Sequence, residues 1–143
     1  MIKQNDIVGY ENKNDFRNVV LENLLKLLSK NSQVKIIKLQ SKKKFTKTAI
    51  PETSDSASEK IIHEIIKGKA EKLKQFSPVH KKIIKPLYLF LDKEVLLYAK
   101  LKKLKFKKTK EKKDKISEFI DGLEKKHPEI KHAMIQSCLS MNE

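Results

Sequence analysis

Few residues in this chain are of a type that performs chemistry, and their spacing matches no catalytic pattern. None of the four histidines shares a helical face with carboxylates at the spacing of metal ligands. Cys138 is the single cysteine, and no histidine and acid stand at a recognisable distance from it, so we interpret it as buried apolar filler. With three glycines in total, the chain has no glycine-rich loop for phosphates. We therefore predict no catalytic residue, no metal site and no cofactor.

Positive charge is the strongest chemical signal in the sequence. The 143 residues include 33 Lys and Arg against 18 Asp and Glu, a formal net charge of +15. Only Arg17 is an arginine, so the charge lies almost wholly on lysine, which binds phosphates as a point charge and lacks the planar fork that reads bases. We expect a polyanionic partner, with nucleic acid favoured, and no tight sequence readout.

This charge is densest in KLKKLKFKKTKEKKDK, which we call the lysine segment (Lys100–Lys115). It has a net charge of +8, and Leu101, Leu104 and Phe106 interrupt it at positions that can anchor its first turns to a core. We predict that it binds the RNA backbone by releasing counterions, through Lys100, Lys102, Lys103, Lys105, Lys107, Lys108, Lys110, Lys112 and Lys113. A solvated linker is the alternative interpretation.

Helices and strands alternate along the chain and must position this segment. Apolar periodicity and end signals predict a helix from about Asn14 to Leu28, a strand over Val34–Leu39 and a short strand before Pro51. A helix capped at Ser56 and stopped at Gly68 follows, and then a strand closing at Pro86. The last predicted elements are a helix from Asp92 to about Leu104 and helices from Lys115 and Pro128. Such alternation is typical of parallel strands covered by helices. We predict an α/β fold, a partial doubly wound parallel sheet of two or three strands with flanking helices and a helical C-terminus.

Domain organisation and location follow from composition. Residues 1–13 are polar and are predicted to form a loose tail, and residues 14–143 a single domain. No stretch approaches the roughly 20 apolar residues of a membrane span, and the start lacks the apolar core of a signal peptide. We expect a soluble, cytoplasmic protein with no membrane partner.

One stretch, KPLYLFLDKEVLLY, resembles a segment of the ATP-pyrophosphatase family that thiolates tRNA. In that family a strand ends in a basic-Pro-apolar triplet, and the next helix carries Lys-Glu-Val/Ile-x-x-Tyr. Here the matching residues are Lys85, Pro86, Lys93, Glu94 and Tyr98. Gly68-Lys69 is similar to the family's Gly-Arg-Gly turn, and Phe119–Ser137 is similar to its terminal helices. We interpret most of this motif as structural.

The resemblance implies a role in 2-thiolation of the wobble uridine (U34) of cytosolic tRNAs. Catalytic members carry a Ser-Gly-Gly-x-Asp-Ser ATP loop and paired cysteines, and this sequence has neither. The resemblance therefore implies the non-catalytic companion subunit, which binds tRNA and pairs with the catalytic thiolation subunit as a heterodimer. It also implies a chain reduced to the C-terminal half of the fold, with no family counterpart for Gln40–Thr48.

Two other functions stay open at this point. A general RNA-binding or ribosome-associated protein would use the same lysines without any thiolation role. An autonomous sulfurtransferase would need Cys138 to act alone. For the heterodimer, we expect the catalytic partner to dock on the last two helices, around Phe119, because their apolar stripes lie furthest from the sheet.

Overall fold

The computed structural model describes residues 1–108, 110 and 112–141. Within them the chain forms five strands, which are β1 (Ile7–Tyr10), β2 (Lys35–Lys38), β3 (Lys47–Ala49), β4 (Val79–His80) and β5 (Ile83–Ile84). The five α-helices are α1 (Phe16–Asn31), α2 (Ser54–Ile66), α3 (Asp92–Leu101), α4 (Lys115–Lys126) and α5 (Ile130–Ser140). A 3-10 helix spans Ala70–Phe76.

The strands form one mostly parallel sheet in the order β2-β1-β3-β5-β4. β1 pairs in parallel with both β2 and β3, β3 pairs in parallel with β5, and β4 closes the edge as an antiparallel neighbour of β5. The chain thus winds outward from β1 in both directions, as in doubly wound α/β folds. The predicted α/β class is confirmed, and the sheet has five strands where two or three were expected.

The prediction of a loose segment over residues 1–13 is wrong at β1. Ile7–Tyr10 lies between β2 and β3, and Val8 and Tyr10 are buried. Four residues between polar flanks give too short a pattern to recognise, and hydrogen bonds to two neighbouring strands stabilise them instead. The chain therefore supplies the strand from which this sheet is wound.

Helices cover both faces of the sheet. Right-handed crossovers place α1 and α2 on opposite faces, because β1-α1-β2 and β3-α2-β5 run in opposite directions across the sheet. One core joins β1 to α1 and α3. The other joins α2, the 3-10 helix and α5 around Ile61, Leu73 and Ile135.

The capping residues at the first turns of α2 and α3 differ from the predicted ones. Thr53, and not Ser56, caps α2, and the Thr53 N–H donates to Ser56 Oγ at 3.0 Å. The cap of α3 is Leu91, whose N–H donates to the Glu94 carboxylate at 2.7 Å. Asp92 is therefore the first helical residue and its carboxylate is left for other partners. The predicted left-handed stop at Gly68 is confirmed, with φ of 68°.

Several apolar residues of the helices lie at the surface. Phe119 is 59% exposed and Leu101 is 73% exposed, and Leu27 and Ile65 are exposed as well. Each lies on a helix whose apolar stripe is wider than the surface against which it packs. None of the helices in the described part of the chain combines the length and apolar character needed to cross a bilayer.

Candidate nucleic-acid interface

The lysine segment crosses the edge of the sheet at which the parallel strands end. After α3 the backbone turns at Lys103, with φ of 53°, and the Leu104 N–H donates to the Ala99 carbonyl at 2.9 Å. The Lys107 N–H then donates to the carbonyl of Asn14 at 2.7 Å. The segment is therefore attached to the connection between β1 and α1.

Two apolar side chains attach the same segment to the core, as the sequence indicated. Leu104 and Phe106 pack against the core under α1 and α3, and the Phe106 ring meets that of Phe16 edge-on, with centroids 6.3 Å apart. Leu101, the third predicted anchor, points to solvent. Packing on both sides of the β1–α1 connection positions the lysines that follow.

All nine predicted RNA-binding lysines are exposed. Of these, Lys113 is the one that forms an ion pair with a described carboxylate, that of Asp121 at 2.6 Å. This hydrogen bond raises the pKa of Lys113, but the side chain is 64% exposed, so solvent screens the pair. The other ammonium groups of the set face water, where phosphates can reach them.

A cleft of 740 Å³ opens beside this segment, between the first turns of α1, α2 and α3 on one side and α4 and α5 on the other. Its lining contains both signs of charge, and Lys93, Lys112 and Lys125 lie at its exposed positions. In parallel α/β sheets this is the position where ligands bind.

Ion pairs within the chain cross-link this cleft. Arg17 Nε donates to Asp92 Oδ1 at 2.8 Å and Arg17 Nη2 to Asp92 Oδ2 at 2.5 Å. The Thr53 hydroxyl donates to Asp92 Oδ1 at 2.7 Å, and the Asp92 N–H donates to Asp55 at 2.6 Å. The N-terminal ends of α1, α2 and α3 are thus connected through one carboxylate.

A buried lysine likewise cross-links helices on the other wall of the cleft. Lys131 of α5 is 5% exposed and contacts the carboxylates of Asp55, Glu124 at 2.6 Å and Asp121 at 3.4 Å. Burial by itself lowers the pKa of Lys131, but hydrogen bonds to Asp55 and Glu124 outweigh it and raise the pKa. Four carboxylates of the cleft are therefore paired with Arg17 or Lys131, and the exposed lysines Lys93, Lys112 and Lys125 lie at its rim.

The connection between β1 and α1 does not suit a nucleotide phosphate. Phosphate loops of α/β proteins join a strand to a helix N-terminus and present glycine N–H groups there. In this chain the connection reads Glu-Asn-Lys-Asn-Asp, and Asp15 caps α1 by accepting from the Asn18 N–H at 2.9 Å. A carboxylate thus already occupies the position that a phosphate would take.

The Lys-Pro part of the motif quoted above lies in the interior. Lys85 is 4% exposed, and its Nζ lies 2.6 Å from Glu52 Oε2, while Lys60 binds Glu52 Oε1 at 2.8 Å. Burial by itself raises the pKa of Glu52, but the hydrogen bonds from Lys60 and Lys85 outweigh it and the pKa lies below its usual value. Pro86 is the second residue after the end of β5. Lys85 is therefore a structural cation.

In the helical part of the motif, Glu94 and Tyr98 form structural hydrogen bonds and Lys93 lies at the surface. Glu94 accepts the N–H at the start of α3, and the Tyr98 hydroxyl donates to Asn23 Oδ1 on α1 at 2.8 Å. Lys93 is exposed and lines the cleft. Of the two lysines of the motif, Lys93 is exposed and Lys85 is buried.

Cys138 lies in the second core, 3% exposed, where burial raises the pKa of its thiol. A neutral, enclosed thiol is a poor nucleophile. Among the described residues no group of three or more His, Cys, Asp and Glu is arranged to hold a metal ion.

The charged residues that build the cleft were not recognised from sequence. Arg17 carried a usable signal as the single arginine, since a guanidinium favours bidentate carboxylate partners. Asp55 and Lys131 carried none, because their pairing joins positions 76 residues apart.

No family model matches this chain, and no curated protein matches it. Among solved structures, the U34-tRNA thiolase NcsA from Methanococcus maripaludis with its [4Fe-4S] cluster is similar, with a TM-score of 0.76 and 17% identity over 98% of this chain and 73% of that one. At this identity the likeness shows a shared fold. A [4Fe-4S] cluster is held by cysteine thiolates, and this chain has one cysteine, which is buried, so its residues do not fit such a cluster.

Proposed function

We propose that this chain is a non-catalytic, tRNA-binding subunit that supports 2-thiolation of U34 in cytosolic tRNAs in the cytoplasm, similar to cytoplasmic tRNA 2-thiolation protein 2. The observation that supports it is the lysine segment attached across the carboxyl edge of a sheet with the fold of a U34-tRNA thiolase. The lysines would hold the tRNA backbone while a catalytic partner supplies ATP chemistry and sulfur transfer.

A catalytic role is disfavoured by three features of the site. Asp15 occupies the helix end where a phosphate would bind, Cys138 is a protonated thiol in the core, and four acids of the cleft are paired with Arg17 or Lys131. These features support a role in which the chemistry comes from another chain.

Exposed apolar side chains of this chain could bind the catalytic subunit. Phe119 on α4 is exposed, as docking on the last two helices would require, while Ile120 and Ile135 of the same pair are buried in this chain. A second exposed apolar surface lies on and before α3, where Leu89, Phe90, Leu97 and Leu101 reach solvent. The heterodimer is accordingly a proposal with two candidate faces.

Reconstituted thiolation tests the proposal. The catalytic subunit and unmodified tRNA are assayed with and without this chain, and 2-thiouridine is measured by mass spectrometry of digested tRNA. We expect product to form with both chains present, and Cys138→Ala to support it as well as the parent. Loss of product with a folded Cys138→Ala protein would contradict the non-catalytic assignment. Co-purification of bulk RNA without any thiolation subunit would favour the general RNA-binding alternative.

A further inference from the structure

A second lysine cluster lies on β2 and in the loop between β2 and β3, and the function proposed above does not use it. Residues 35–47, KIIKLQSKKKFTK, contain six lysines and no acid. Lys47 is paired with Asp6 at 2.8 Å, and among the described residues no carboxylate lies within ion-pairing distance of the other five. These five, Lys35, Lys38, Lys42, Lys43 and Lys44, are all exposed.

The loop that carries this cluster is held at both ends by β1. At one end the Leu39 N–H donates to the Tyr10 carbonyl at 2.9 Å. At the other the Thr46 N–H donates to the Ile7 carbonyl at 2.8 Å, and the Ile7 N–H donates back to Thr46 Oγ1 at 3.0 Å. The loop therefore crosses the sheet face over β1 in a fixed path, so little ordering entropy is lost when it binds.

An aromatic ring stands in the middle of that path. Phe45 packs over Gly9 so closely that a Cβ built on Gly9 would lie 3.2 Å from the ring, yet the side chain is 41% exposed. An exposed ring that is supported by backbone and flanked by lysines provides a platform on which an unpaired base can stack. A purely structural ring would not need a rim of uncompensated charge.

A groove of 440 Å³ lies beside β2, the edge strand, and reaches Lys44, which precedes Phe45 in the chain. Lys35, Lys43 and Lys44 line it, and Ile36 and Ile37 form its apolar part. Such a groove suits single-stranded RNA, because the phosphates can contact the lysines while the bases face the apolar side chains. An acidic vesicle surface would gain from the charge but would make no use of a groove.

We propose that Phe45 and Lys42–Lys44 form a second RNA contact, which binds a single-stranded stretch by stacking one base on Phe45 and holding its phosphates with the lysines. The proposal rests on the RNA-binding function proposed above. Leu39 is bonded to Tyr10 at the carboxyl end of β1 and Lys107 to Asn14 just beyond it, while Thr46 is bonded to Ile7 at the amino end of β1. The loop therefore starts at the edge of the sheet that carries the lysine segment and runs towards the opposite edge. One RNA would follow it from a backbone contact at the lysine segment to a base contact at Phe45.

Two variants test this with labelled oligouridylate of about twelve nucleotides as the probe. Phe45→Leu keeps the packing over Gly9 and removes the stacking face, so we expect about 5- to 100-fold weaker binding. Lys42, Lys43 and Lys44 changed together to Gln should reduce the salt slope by about 0.7 for each lost phosphate contact. Phe90→Leu is the matched control, because Phe90 is half exposed and lies outside the cluster. Circular dichroism confirms that each variant is folded.

Each outcome decides between the two RNA contacts. Unchanged oligouridylate affinity and salt slope in both variants would overturn the second contact. If glutamine at Lys102, Lys103, Lys107 and Lys108 meanwhile weakens tRNA binding, the function proposed above stands without it. Loss confined to Phe45→Leu and the Lys42–Lys44 variant would support the second contact and remove the lysine segment from RNA binding. Weaker binding to phosphatidylserine vesicles with unchanged RNA binding would overturn the proposal in favour of a membrane surface.

Discussion

Arg17 and Asp92 form a bidentate pair that joins the first turns of α1 and α3, although 75 residues separate them in sequence. Both side chains are mostly enclosed, at 19% and 25% exposed. Thr53 and Asp55 add α2 to the same junction. The cleft beside the lysine segment thus has a wall whose geometry depends on one carboxylate.

Asp92→Asn should lower the free energy of unfolding by about 1–2 kcal/mol, because it replaces a charge-assisted pair with a weaker neutral one in a partly solvated place. Urea unfolding at neutral pH measures the change. Glu11→Gln is the control, since Glu11 pairs with Lys13 at an exposed site where the effect should stay below about 0.5 kcal/mol. Equal effects of the two variants would show that the Arg17–Asp92 pair stabilises the fold no more than an exposed ion pair does.

Glu52 should make stability depend on pH. Its pKa is lower in the folded chain than its usual 4.5, so its contribution is present above about pH 4.5 and is lost as pH falls through the folded value. Glu52→Gln should cost about 3–5 kcal/mol at pH 7, since it leaves Lys85 buried without a charged partner. Between pH 5 and 3 the variant should lose less stability than the parent.

Urea unfolding of parent and Glu52→Gln proteins at several pH values gives both results. Lys60→Gln is the matched comparison, because Lys60 binds the same carboxylate from a side chain that is 54% exposed. We expect it to cost much less than Glu52→Gln. Parallel pH profiles for the parent and Glu52→Gln would contradict the assigned role of this carboxylate.

Changing Lys102, Lys103, Lys107 and Lys108 to Gln should weaken tRNA binding and reduce the salt slope by about 0.7–0.9 per lost phosphate contact. Filter binding at several salt concentrations measures both quantities. The control removes the same charge elsewhere, by changing exposed Lys30, Lys67, Lys69 and Lys74 to Gln. An equal loss in both variants would mean that net charge alone attracts the RNA.

Phe119→Asp should abolish co-purification with the catalytic subunit and leave RNA binding in place, if α4 and α5 are the docking face. Leu97→Asp on α3 is the matched variant, because Leu97 is exposed to a similar extent, 56% against 59%. Pull-down of each variant, with sedimentation of the isolated chain, distinguishes the two faces. If the unmodified chain is a stable monomer that does not bind the catalytic subunit, the heterodimer is no longer part of the proposal.

Local patterns in the sequence predicted the helices well, and contacts distant in sequence explain the rest. The helix around Ile61 and the left-handed stop at Gly68 are encoded by neighbouring residues, and so they were found. β4 has two residues and is formed by its pairing with β5, which no local pattern reports. For the same reason Leu91 was missed as the cap of α3, since the Asp92 carboxylate is drawn away by Arg17.

The candidate site also contains features that local sequence predicts and features that depend on contacts distant in sequence. The lysine segment and its anchors Leu104 and Phe106 stood out by composition and spacing, and the structure adds the place where they attach. The cleft depends on Lys131 meeting acids from α2 and α4, which becomes visible only when the helices are packed. Charge density is thus readable from sequence, whereas charge compensation is a property of the fold.

The bond between Lys107 and Asn14 has a consequence for synthesis. The ribosome releases Asn14 early and Lys107 only after all five strands, so the nascent chain carries β1 for some ninety residues before this attachment can form. Both sheet neighbours of β1 emerge long before Lys107, so the strand can pair first. Domains tend to fold as units once their distant contacts become available. We therefore expect the lysine segment to attach to a sheet that is already formed.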